Sequence, residues 1–425
     1  MSQQALDGIV VVEFAAFAAG PCVGKYMANH GAFVVRVESK SRLDGFRAHY
    51  PPFKDNKPGP NRSGVFAFNN DSVRSAGINL KVPAGLEIAR KLAAKADVVI
   101  ENFTPGTMRK LGLDYGTLAA INPKLIMLST CNMGQTGPRA CHPGFGSQLT
   151  SLSGFTYLVG EPGGDPVIVY GPYIDYVAVG YGYVAILAAL EHRRKTGRGQ
   201  FIDLAQYENG IQFIAPAILQ YQLLGTSPGR EGNRHPVAAP HAAYLCAEPD
   251  TWCAISVFDD AEWQRLVDVM GKPDWALSLR FATQLGRKES ESELDALVSQ
   301  WTRALRSEEL MQLLQKAGIH AAKINNMKDL FSDPQLAHRG FWATVHHKEV
   351  GAHHVEMPAF QLSGTPCADP VAEPCLSEHT EMVLESLLGL SKAEIEELAG
   401  QGAIELASSA VAEPVSKVDA SGLVD

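Results

Sequence analysis

The feature that most constrains this chain is a strand–helix–strand unit near its start. Residues 9–14 form an apolar run of the kind that makes a buried strand, and Pro21 suits the first turn of a helix over residues 22–29. The same strand pattern recurs at residues 33–37, 98–100 and 125–130. Strands alternating with helices at this spacing predict an α/β fold with a parallel sheet and right-handed crossovers. The dinucleotide motif G-x-G-x-x-G is missing from the sequence, so no dinucleotide site is predicted.

A carboxylate placed directly before a long uncharged segment is the second feature. Asp175 precedes residues 176–190, which carry no charge, and a basic cluster follows at residues 192–195. This pattern predicts a helix buried on nearly all sides, too short to cross a bilayer, with cations at the negative end of its dipole. Residues 196–199 should end the helix, and residues 200–204 are predicted to form a strand.

Asp175 has two interpretations on this pattern alone. A carboxylate at or near the first position of a helix most often accepts a backbone N–H and caps the helix. The same carboxylate, kept ionised at neutral pH by the helix dipole, could attack an activated acyl group and form a covalent intermediate. The residues around it leave both interpretations open.

Composition narrows the function classes. The 425 residues are enough for more than one domain, and a net charge of −9 argues against a nucleic-acid partner. Seven cysteines, an odd number without regular spacing, predict a reducing, cytoplasmic location and no metal site. The longest uncharged apolar runs fall short of eighteen residues, so no membrane partner is predicted.

Short motifs along most of the chain resemble the family III CoA-transferases, the CaiB/BaiF type. Around Asp175 the likeness consists of Pro172-x-x-Asp175, the segment ILAAL at residues 186–190, and R-x-x-T-G-R-G-Q at residues 193–200. The other matching segments are Leu6-Asp7-Gly8, Ala19-Gly20-Pro21, Glu101-Asn102-Phe103, Leu111-Gly112-Leu113-Asp114-Tyr115, Asn122-Pro123, Gly134-Gln135-Thr136-Gly137-Pro138, Gly232-Asn233, Asp333-Pro334, Arg339-Gly340 and Glu378-His379-Thr380. The resemblance runs from about residue 6 to residue 404 and implies that Asp175 is the catalytic nucleophile.

The resemblance also implies a domain plan and an assembly. The plan is a large Rossmann-like domain over residues 1–205, a linker at 206–232, a smaller α+β domain at 233–328, a second linker at 329–350, a return to the large domain at 351–404 and a poorly ordered tail at 405–425. Family members thread one chain through another, so an interlocked dimer is expected. A heteromer with a related chain is the alternative assembly.

Family likeness places coenzyme A against one set of residues. These are Phe17, Ala18, Lys40, Arg42, Ile78, Lys81, Asn102, Phe103, Thr107, Lys110 and His142. In this interpretation CoA and its thioesters are substrates, and no tightly bound cofactor or metal is expected. The basic members would meet the phosphates, although exposed lysines and arginines are also ordinary solvated surface residues.

Three departures from the family pattern bear on the substrate and the reaction. Ser39 stands where some members have a phosphate-binding arginine, and residues 14–19 (FAAFAA) contain no polar side chain. The second departure favours a weakly polar or aromatic acceptor acid over a small dicarboxylate, with succinyl-CoA as a candidate donor. Gly146 stands where the family usually has a carboxylate.

The alternatives to transfer by this chain are a racemase and a non-catalytic subunit. Related acyl-CoA racemases have His-Asp where this chain has Phe145-Gly146, so proton transfer lacks a base here. A chain of a heteromeric enzyme such as a benzylsuccinate CoA-transferase need not itself be catalytic. Retention of Asp175 argues that this chain is the working one, with an aspartyl-CoA thioester and mixed anhydrides as its intermediates.

Overall fold

The computed structural model describes residues 4–407. These residues form two compact units. The first unit contains the chain up to Phe155, the segment Val169–Pro216 and the chain from Ala337 onward, and the second contains Thr156–Ile168 and Ala217–Leu336. Residues 156–168 therefore belong to the second unit, whereas the domain plan drawn from the sequence places them in the large domain.

The strands predicted from the sequence are confirmed, with bounds that shift by at most one residue. In chain order the strands are β1 Val10–Phe14, β2 Phe33–Glu38, β3 Arg74–Ile78, β4 Val98–Glu101, β5 Ile126–Cys131, β6 Phe201–Ala205, β7 His241–Leu245, β8 Trp252–Ser256, β9 His320–Ile324, β10 Trp342–His347, β11 Gly351–Glu356 and β12 Ile404–Glu405.

Helices occupy much of the chain between the strands. They are α1 Ala19–Asn29, α2 Gly45–Ala48, α3 Gly64–Asn70, α4 Pro83–Lys95, α5 Thr107–Lys110, α6 Tyr115–Ile121, α7 Gly146–Leu152, α8 Phe155–Leu158, α9 Tyr173–Thr196, α10 Gln206–Gln212, α11 Ala215–Leu224, α12 Asp260–Val269, α13 Gln284–Glu289, α14 Glu291–Thr302, α15 Ser307–Lys316, α16 Met327–Ser332, α17 Pro334–His338, α18 Thr380–Val383 and α19 Lys392–Gly400. Short 3-10 turns lie at Lys54–Asn56, Asp274–Leu277 and Leu279–Phe281, and a π-helical turn at Leu384–Leu388.

The first unit is built on a seven-stranded sheet. Its strand order is β12-β3-β2-β1-β4-β5-β6, and all neighbours are parallel except β12 and β3. The order runs outward from β1 in one direction and from β4 in the other, so a crevice is expected between the carboxyl ends of these two strands. This mostly parallel sheet confirms the predicted Rossmann-like architecture.

Apolar clusters cover both faces of this sheet. On one face, Val11 and Leu128 of the strands pack with Met27 of α1 and Ile186 of α9. On the other face, Val12 and Val99 pack with Leu92 of α4, Leu118 of α6 and Val383 of α18. Because the strands are buried on both faces, their sequences are almost continuously apolar.

Helix α9 departs from the prediction in its length and its burial. It runs for 24 residues and ends at Gly197, which has φ 75°. One side packs closely on α1 and on the sheet: a Cβ added at Gly182 would lie 3.1 Å from Val23 of α1 and 3.2 Å from Leu128 of β5. The other side exposes apolar side chains, including Tyr181 and Val184, so the predicted burial on nearly all sides is wrong. By length and composition this helix could cross a membrane, and a third of its most apolar window is buried.

The second unit has its own sheet and core. Strands β7, β8 and β9 form an antiparallel sheet in that order. Tyr244 and Ile255 from the sheet pack with Trp263, Leu294 and Leu310 from α12, α14 and α15. This unit is α+β, as the sequence predicts for the smaller domain.

The chain returns to the first unit after α17. Strands β10 and β11 form a hairpin, and β12 adds to the sheet edge by pairing Ile404 with Ile78 and Glu405 with Gly77. Glu405, which the sequence analysis assigned to the tail, is therefore part of the sheet. The rest of that predicted tail from residue 408 onward lies outside the described residues.

Candidate active site

The topology brings most of the predicted CoA-binding residues to one edge of the sheet. They follow the carboxyl ends of parallel strands: Phe17 and Ala18 follow β1, Lys40 and Arg42 follow β2, Ile78 and Lys81 lie at and after the end of β3, Asn102, Phe103, Thr107 and Lys110 follow β4, and His142 follows β5. Since parallel strands end at the same edge, these segments lie on the side of the sheet where such folds bind ligands.

Asp175 lies in the first turn of α9. The helix begins at Tyr173 with Pro172 as the residue before it, so Asp175 is not the capping residue. Its side chain is half-buried, and its carboxylate accepts a hydrogen bond from the backbone of Gly146 in α7. Burial raises the pKa of Asp175 to about 7, and the Gly146 hydrogen bond only partly opposes that rise. Burial therefore opposes the helix dipole that the sequence analysis expected to keep this carboxylate ionised.

Gly146 lies against the Asp175 carboxylate. A Cβ added at Gly146 would lie 2.7 Å from Oδ2 of Asp175 and 2.5 Å from Cβ of Pro172. Both distances are shorter than a Cβ atom can approach another heavy atom. Any residue other than glycine at position 146 would therefore displace the Asp175 carboxylate or Pro172. In the sequence analysis, Gly146 stands where the family usually has a carboxylate. In the structure, the lack of a side chain at Gly146 leaves room for the Asp175 carboxylate.

An aromatic cluster lies beside this pair. It consists of Phe17, Phe46, Tyr50 and Phe145. The ring of Phe17 meets those of Phe46, Tyr50 and Phe145 edge-on, at centroid distances of 5.4, 6.2 and 5.6 Å. Phe145 directly precedes Gly146, so the cluster connects the surroundings of Asp175 to the loop after β1. Phe46 and Tyr50 were not predicted, because they come from a long polar loop with no motif of its own.

The loop after β1 is held in an unusual conformation. Phe17 has φ 62°, a left-handed conformation that bulky residues rarely adopt. Its N–H faces both carboxylate oxygens of Asp44, at 3.3 and 3.2 Å. Asp44 is paired with Arg36, which also donates to the carbonyl oxygen of Ala15 at 3.0 Å. Arg36 and Asp44 are thus positioning residues that the sequence analysis missed, since a buried ion pair has no local sequence signal.

Asn102 fastens the same loop from β4. Its Oδ1 accepts from the N–H of Ala16 at 2.9 Å, and its Nδ2 donates to the carbonyl oxygen of Ala16 at 2.7 Å. The amide group predicted to contact coenzyme A is therefore engaged with the backbone across the β1–β4 crevice. Phe103, the next residue, donates its N–H to Glu101 at 2.8 Å and leaves its ring half-buried.

The predicted phosphate ligands are exposed cations. Lys40, Arg42, Lys81 and Lys110 all have exposed side chains, and within residues 4–407 none of the four makes an ion pair. The backbone N–H of Lys40 is fixed by the carboxylate of Glu405, at 2.9 and 2.8 Å. The remaining predicted ligands differ in burial: Ala18 and Ile78 are buried, Thr107 is half-buried and His142 is exposed. No group of side chains suited to a metal ion occurs among residues 4–407.

Comparisons with known proteins identify the family of this chain. The model of CoA-transferase family III matches residues 6–380. The chain is 32% identical over 394 residues to a succinyl-CoA–D-citramalate CoA-transferase of Chloroflexus aurantiacus, covering 92% of this chain and 96% of that protein. It is 33% identical over 401 residues to the beta subunit of a succinyl-CoA–L-malate CoA-transferase from the same organism, covering 92% and 96%.

A solved structure shows the same architecture. The crystal structure of a CAIB/BAIF family protein from Brucella suis superposes with a TM-score of 0.83 at 33% identity, covering 91% of this chain and all of that one. The family model and the relatives span most of the chain, and the resemblance inferred from the motifs is confirmed. The chain belongs to CoA-transferase family III and is a CoA-transferase.

Proposed function

We propose that this enzyme moves CoA from succinyl-CoA to a free organic acid, with Asp175 as the nucleophile. The observation that carries the proposal is the Asp175 carboxylate itself. It is half-buried in the first turn of α9, lies against a glycine, and is connected by aromatic rings to the loop at the β1–β4 crevice. Succinyl-CoA is proposed as the donor because the relatives described above are named for it.

The chemistry consists of two exchanges between sulfur and oxygen. The ionised carboxylate of Asp175 attacks the thioester carbonyl, the C–S bond breaks, and CoA leaves as thiolate from a mixed anhydride. The thiolate then attacks the aspartyl carbonyl, which releases succinate and leaves Asp175 as a CoA thioester. The acceptor carboxylate reverses both steps and departs as its own CoA thioester. Each step conserves charge, so no external acid or base is consumed.

The surroundings of Asp175 suit these intermediates. An acyl anhydride hydrolyses unless water is kept away from it. The partial burial of the Asp175 carboxylate supports a site that limits the access of water. The backbone hydrogen bond from Gly146 orients the carboxylate without occupying space above it. Backbone N–H groups at the start of α9 would stabilise the oxyanion of each tetrahedral state.

Coenzyme A would lie along the carboxyl edge of the sheet as a substrate. The exposed cations Lys40, Arg42, Lys81 and Lys110 are the proposed partners of its phosphates. Phe103 would offer apolar surface for the adenine, with Thr107 at the start of α5, and Phe17 and His142 would lie nearer to the thioester. The side chains of Ile78 and Ala18 are buried and offer CoA no surface of their own. No tightly bound cofactor is part of the proposal.

Racemisation is the less favoured activity for this site. It needs a base on each side of the substrate α-carbon. Phe145 and Gly146 supply no titratable group beside Asp175, and the space at Gly146 is too small for a side chain in the present arrangement.

The assembly and the location are proposed on separate grounds. We propose a homodimer, or a heteromer with a related chain, because α9 exposes large apolar side chains and one relative is a named subunit. Asp175 would make this chain catalytic in either assembly. A cytoplasmic location is supported by seven free cysteines, of which four are buried.

The test of Asp175 compares the wild type with Asp175→Asn. Isotope exchange between labelled succinate and succinyl-CoA, without any second acid, reports the first half-reaction alone. We expect exchange in the wild type and loss of at least about 1,000-fold in the variant, because asparagine keeps the shape but not the nucleophile.

Trapping supplies the second readout. Hydroxylamine after incubation with succinyl-CoA should convert Asp175 of the wild type to a hydroxamate, found by peptide mass spectrometry. Unchanged affinity of the variant for CoA is the control that its fold is intact. Normal exchange by Asp175→Asn, or a hydroxamate on another residue, would contradict the proposed mechanism.

A further inference from the structure

The hydrogen bond from the backbone of Gly146 to Asp175 depends on where residues 144–146 lie. This segment runs close against the start of α9, since a Cβ at Gly146 would come within 2.5 Å of Pro172 and 2.7 Å of Asp175. An N–H···O bond requires its two heavy atoms to lie about 2.7–3.2 Å apart and nearly in line with the hydrogen. A displacement of the segment by about 1 Å would therefore break the bond that orients the Asp175 carboxylate.

Two side chains of α7 hold the shape of this segment. The N–H of Phe145 donates to Oε1 of Gln148 at 3.0 Å, and the hydroxyl of Thr150 donates to the carbonyl oxygen of Gly146 at 2.7 Å. Gln148 and Thr150 belong to the same helix as Gly146, so these two bonds would move together with the segment. They do not fix its place relative to the sheet.

Asn132 connects the segment to the sheet. It directly follows β5, and its Nδ2 donates to the carbonyl oxygen of Gly144 at 2.8 Å. The backbone of Asn132 is itself held, because its carbonyl oxygen accepts from the N–H of Tyr207 in α10 at 2.9 Å. The bond from Asn132 thus closes the loop of residues 133–143 just before α7 begins.

We propose that Asn132 is a positioning residue for the nucleophile, because it holds residues 144–146 where the N–H of Gly146 meets the Asp175 carboxylate. Asn132 acts through Gly144 and the backbone that follows it. This inference rests on the proposed function, since the orientation of Asp175 affects turnover only if Asp175 reacts.

The pH dependence of activity separates positioning from a general loosening of the site. A hydrogen bond to the ionised form lowers a carboxyl pKa, so loss of the Gly146 bond should raise the pKa of Asp175 further. Loosening that admits water would relieve burial, which is the larger cause, and would lower that pKa. Within residues 4–407, no charged side chain is among the causes of the Asp175 shift. Burial raises the pKa of the neighbouring Tyr176 to about 12, so Tyr176 stays neutral at the pH values tested.

The test compares Asn132→Leu with Asn122→Leu. Leucine has the branched shape of asparagine but lacks the amide donor. Asn122 is the matched control near the other end of β5, where its Nδ2 donates to the carbonyl oxygens of Ala94 and Ala96 at 3.3 and 3.0 Å. Exchange between labelled succinate and succinyl-CoA is measured between about pH 5.5 and 8.5, which gives kcat, KM and the pH at which kcat/KM begins to fall.

We expect kcat of Asn132→Leu to fall about tenfold or more, because misplacing a reacting group by about 1 Å costs up to about 100-fold. The KM for succinyl-CoA should change less than about twofold. The acid limb of kcat/KM should move to higher pH by about 0.5 unit or more. Asn122→Leu should keep the kcat and the acid limb of the wild type. Asn132→Gln, which keeps an amide donor on a longer side chain, should recover part of the lost kcat.

Four results would overturn the inference and leave the proposed function in place. They are a wild-type kcat in Asn132→Leu, an acid limb that stays or moves to lower pH, equal losses in the Gln and Leu variants of Asn132, and an equal loss in Asn122→Leu. Absence of succinate exchange in the wild type would overturn the proposed function, and this inference with it. If Asn132→Leu lacks the far-UV circular dichroism spectrum of the wild type, Asn132→Ala is measured in its place with the same expected results.

Discussion

At the scale of single residues, the site depends on a competition around one carboxylate. Burial favours the protonated form of Asp175, and the backbone hydrogen bond from Gly146 favours the ionised form. Burial prevails and leaves the pKa at about 7. A carboxylate with this pKa is a stronger base than an exposed aspartate, and its acyl derivatives form away from water. The ionised Asp175 carboxylate is therefore more reactive than an exposed aspartate, but a smaller fraction of Asp175 is ionised at neutral pH.

We predict that activity rises with pH through about 7. Only the ionised carboxylate attacks, so kcat/KM for succinyl-CoA should fall about tenfold per pH unit below the pKa of Asp175 and level off above it. The measurement is the rate of succinate exchange at subsaturating succinyl-CoA between pH 5.5 and 8.5. Circular dichroism at each pH serves as the control for folding. A flat profile down to pH 5.5 would show that Asp175 ionises as an ordinary exposed aspartate.

A second residue-scale prediction concerns the missing side chain at position 146. In Gly146→Ala the new Cβ would meet the Asp175 carboxylate at 2.7 Å and Pro172 at 2.5 Å, so the carboxylate must rotate away. We expect kcat to fall by about 100-fold with little change in CoA affinity, because misplacing a nucleophile by about 1 Å costs that much. Gly144→Ala is the matched control, since its Cβ would lie at an ordinary 3.5 Å from Asn132. Equal activity of the two variants would contradict this account of Gly146.

The motif around Asp175 was enough to propose it as the nucleophile, but the residues that contact it in the structure could not be predicted. Gly146 lies far from Asp175 in the sequence, and only the folded structure brings them into contact. The family likeness implied that Asn102 contacts CoA, and the structure shows its amide hydrogen-bonded to the backbone of Ala16. Sequence patterns indicate which residue types lie near a strand end. They do not indicate which of the polar side chains are hydrogen-bonded to the backbone and so are not free to bind a ligand.

At the scale of elements, β1 and α1 approach each other around a buried acid. Glu13 of β1 is fully buried, and neither carboxylate oxygen has a hydrogen-bond partner among the described residues. Gly24 of α1 lies directly above it, where a Cβ would collide with the carboxylate. Burial raises the pKa of Glu13 to about 8, so this residue is mostly protonated at neutral pH.

We predict that Glu13 makes the protein less stable as pH rises. The folded pKa of about 8 exceeds the unfolded value of 4.5, so folding binds a proton throughout that interval. The free energy of unfolding should therefore fall by roughly 1.4 kcal/mol per pH unit between the two values, and stop falling above pH 8. Glu13→Gln should remove this contribution. Urea unfolding midpoints at pH 5, 6.5 and 8 test it, and parallel slopes for the variant and the wild type would contradict it.

Helix α9 shows where prediction of an element fails. Its basic last turn and its glycine end follow from the sequence, although the helix begins at Tyr173, two residues before Asp175. The burial of α9 does not follow from its sequence. An apolar residue is equally suited to packing on the sheet of its own chain and to packing on another molecule. Gly182 and Ile186 meet the sheet, whereas Val184 and Leu187 remain exposed on the other side. A buried helix face is normally recognised because apolar and polar residues alternate with a period of about 3.6 residues. This alternation is absent in α9, where both the buried and the exposed face are apolar.

At the scale of the whole molecule, the exposed side of α9 bears on assembly. Val184 is 64% exposed in the middle of the uncharged segment 176–190 of this helix. We predict that the protein is at least a dimer in solution, with a mass at least twice the 45.8 kDa of one chain. Light scattering after size exclusion measures the mass directly.

A substitution localises the interface. Val184→Glu should weaken the assembly and shift the mass toward that of one chain at low concentration. Ile121→Glu, at a residue 56% exposed at the end of α6, is the control that should leave the mass unchanged. A monomeric wild type would contradict the prediction. If the Val184→Glu variant keeps the same mass in solution as the wild type at low concentration, the interface does not involve the exposed side of α9.

The pairing of β12 with β3 has a consequence for how the protein is made. The edge of the large sheet is completed by Ile404 and Glu405, and Glu405 also fixes the backbone of Lys40 in the loop after β2. On the ribosome, β1 to β6 emerge long before these two residues, so the nascent chain carries an uncovered β3 edge for roughly the last half of its synthesis. A chain released before residue 404 would keep that edge and lose an anchor of the proposed CoA site. Premature termination near the end should therefore yield aggregation during translation and not a shortened active enzyme.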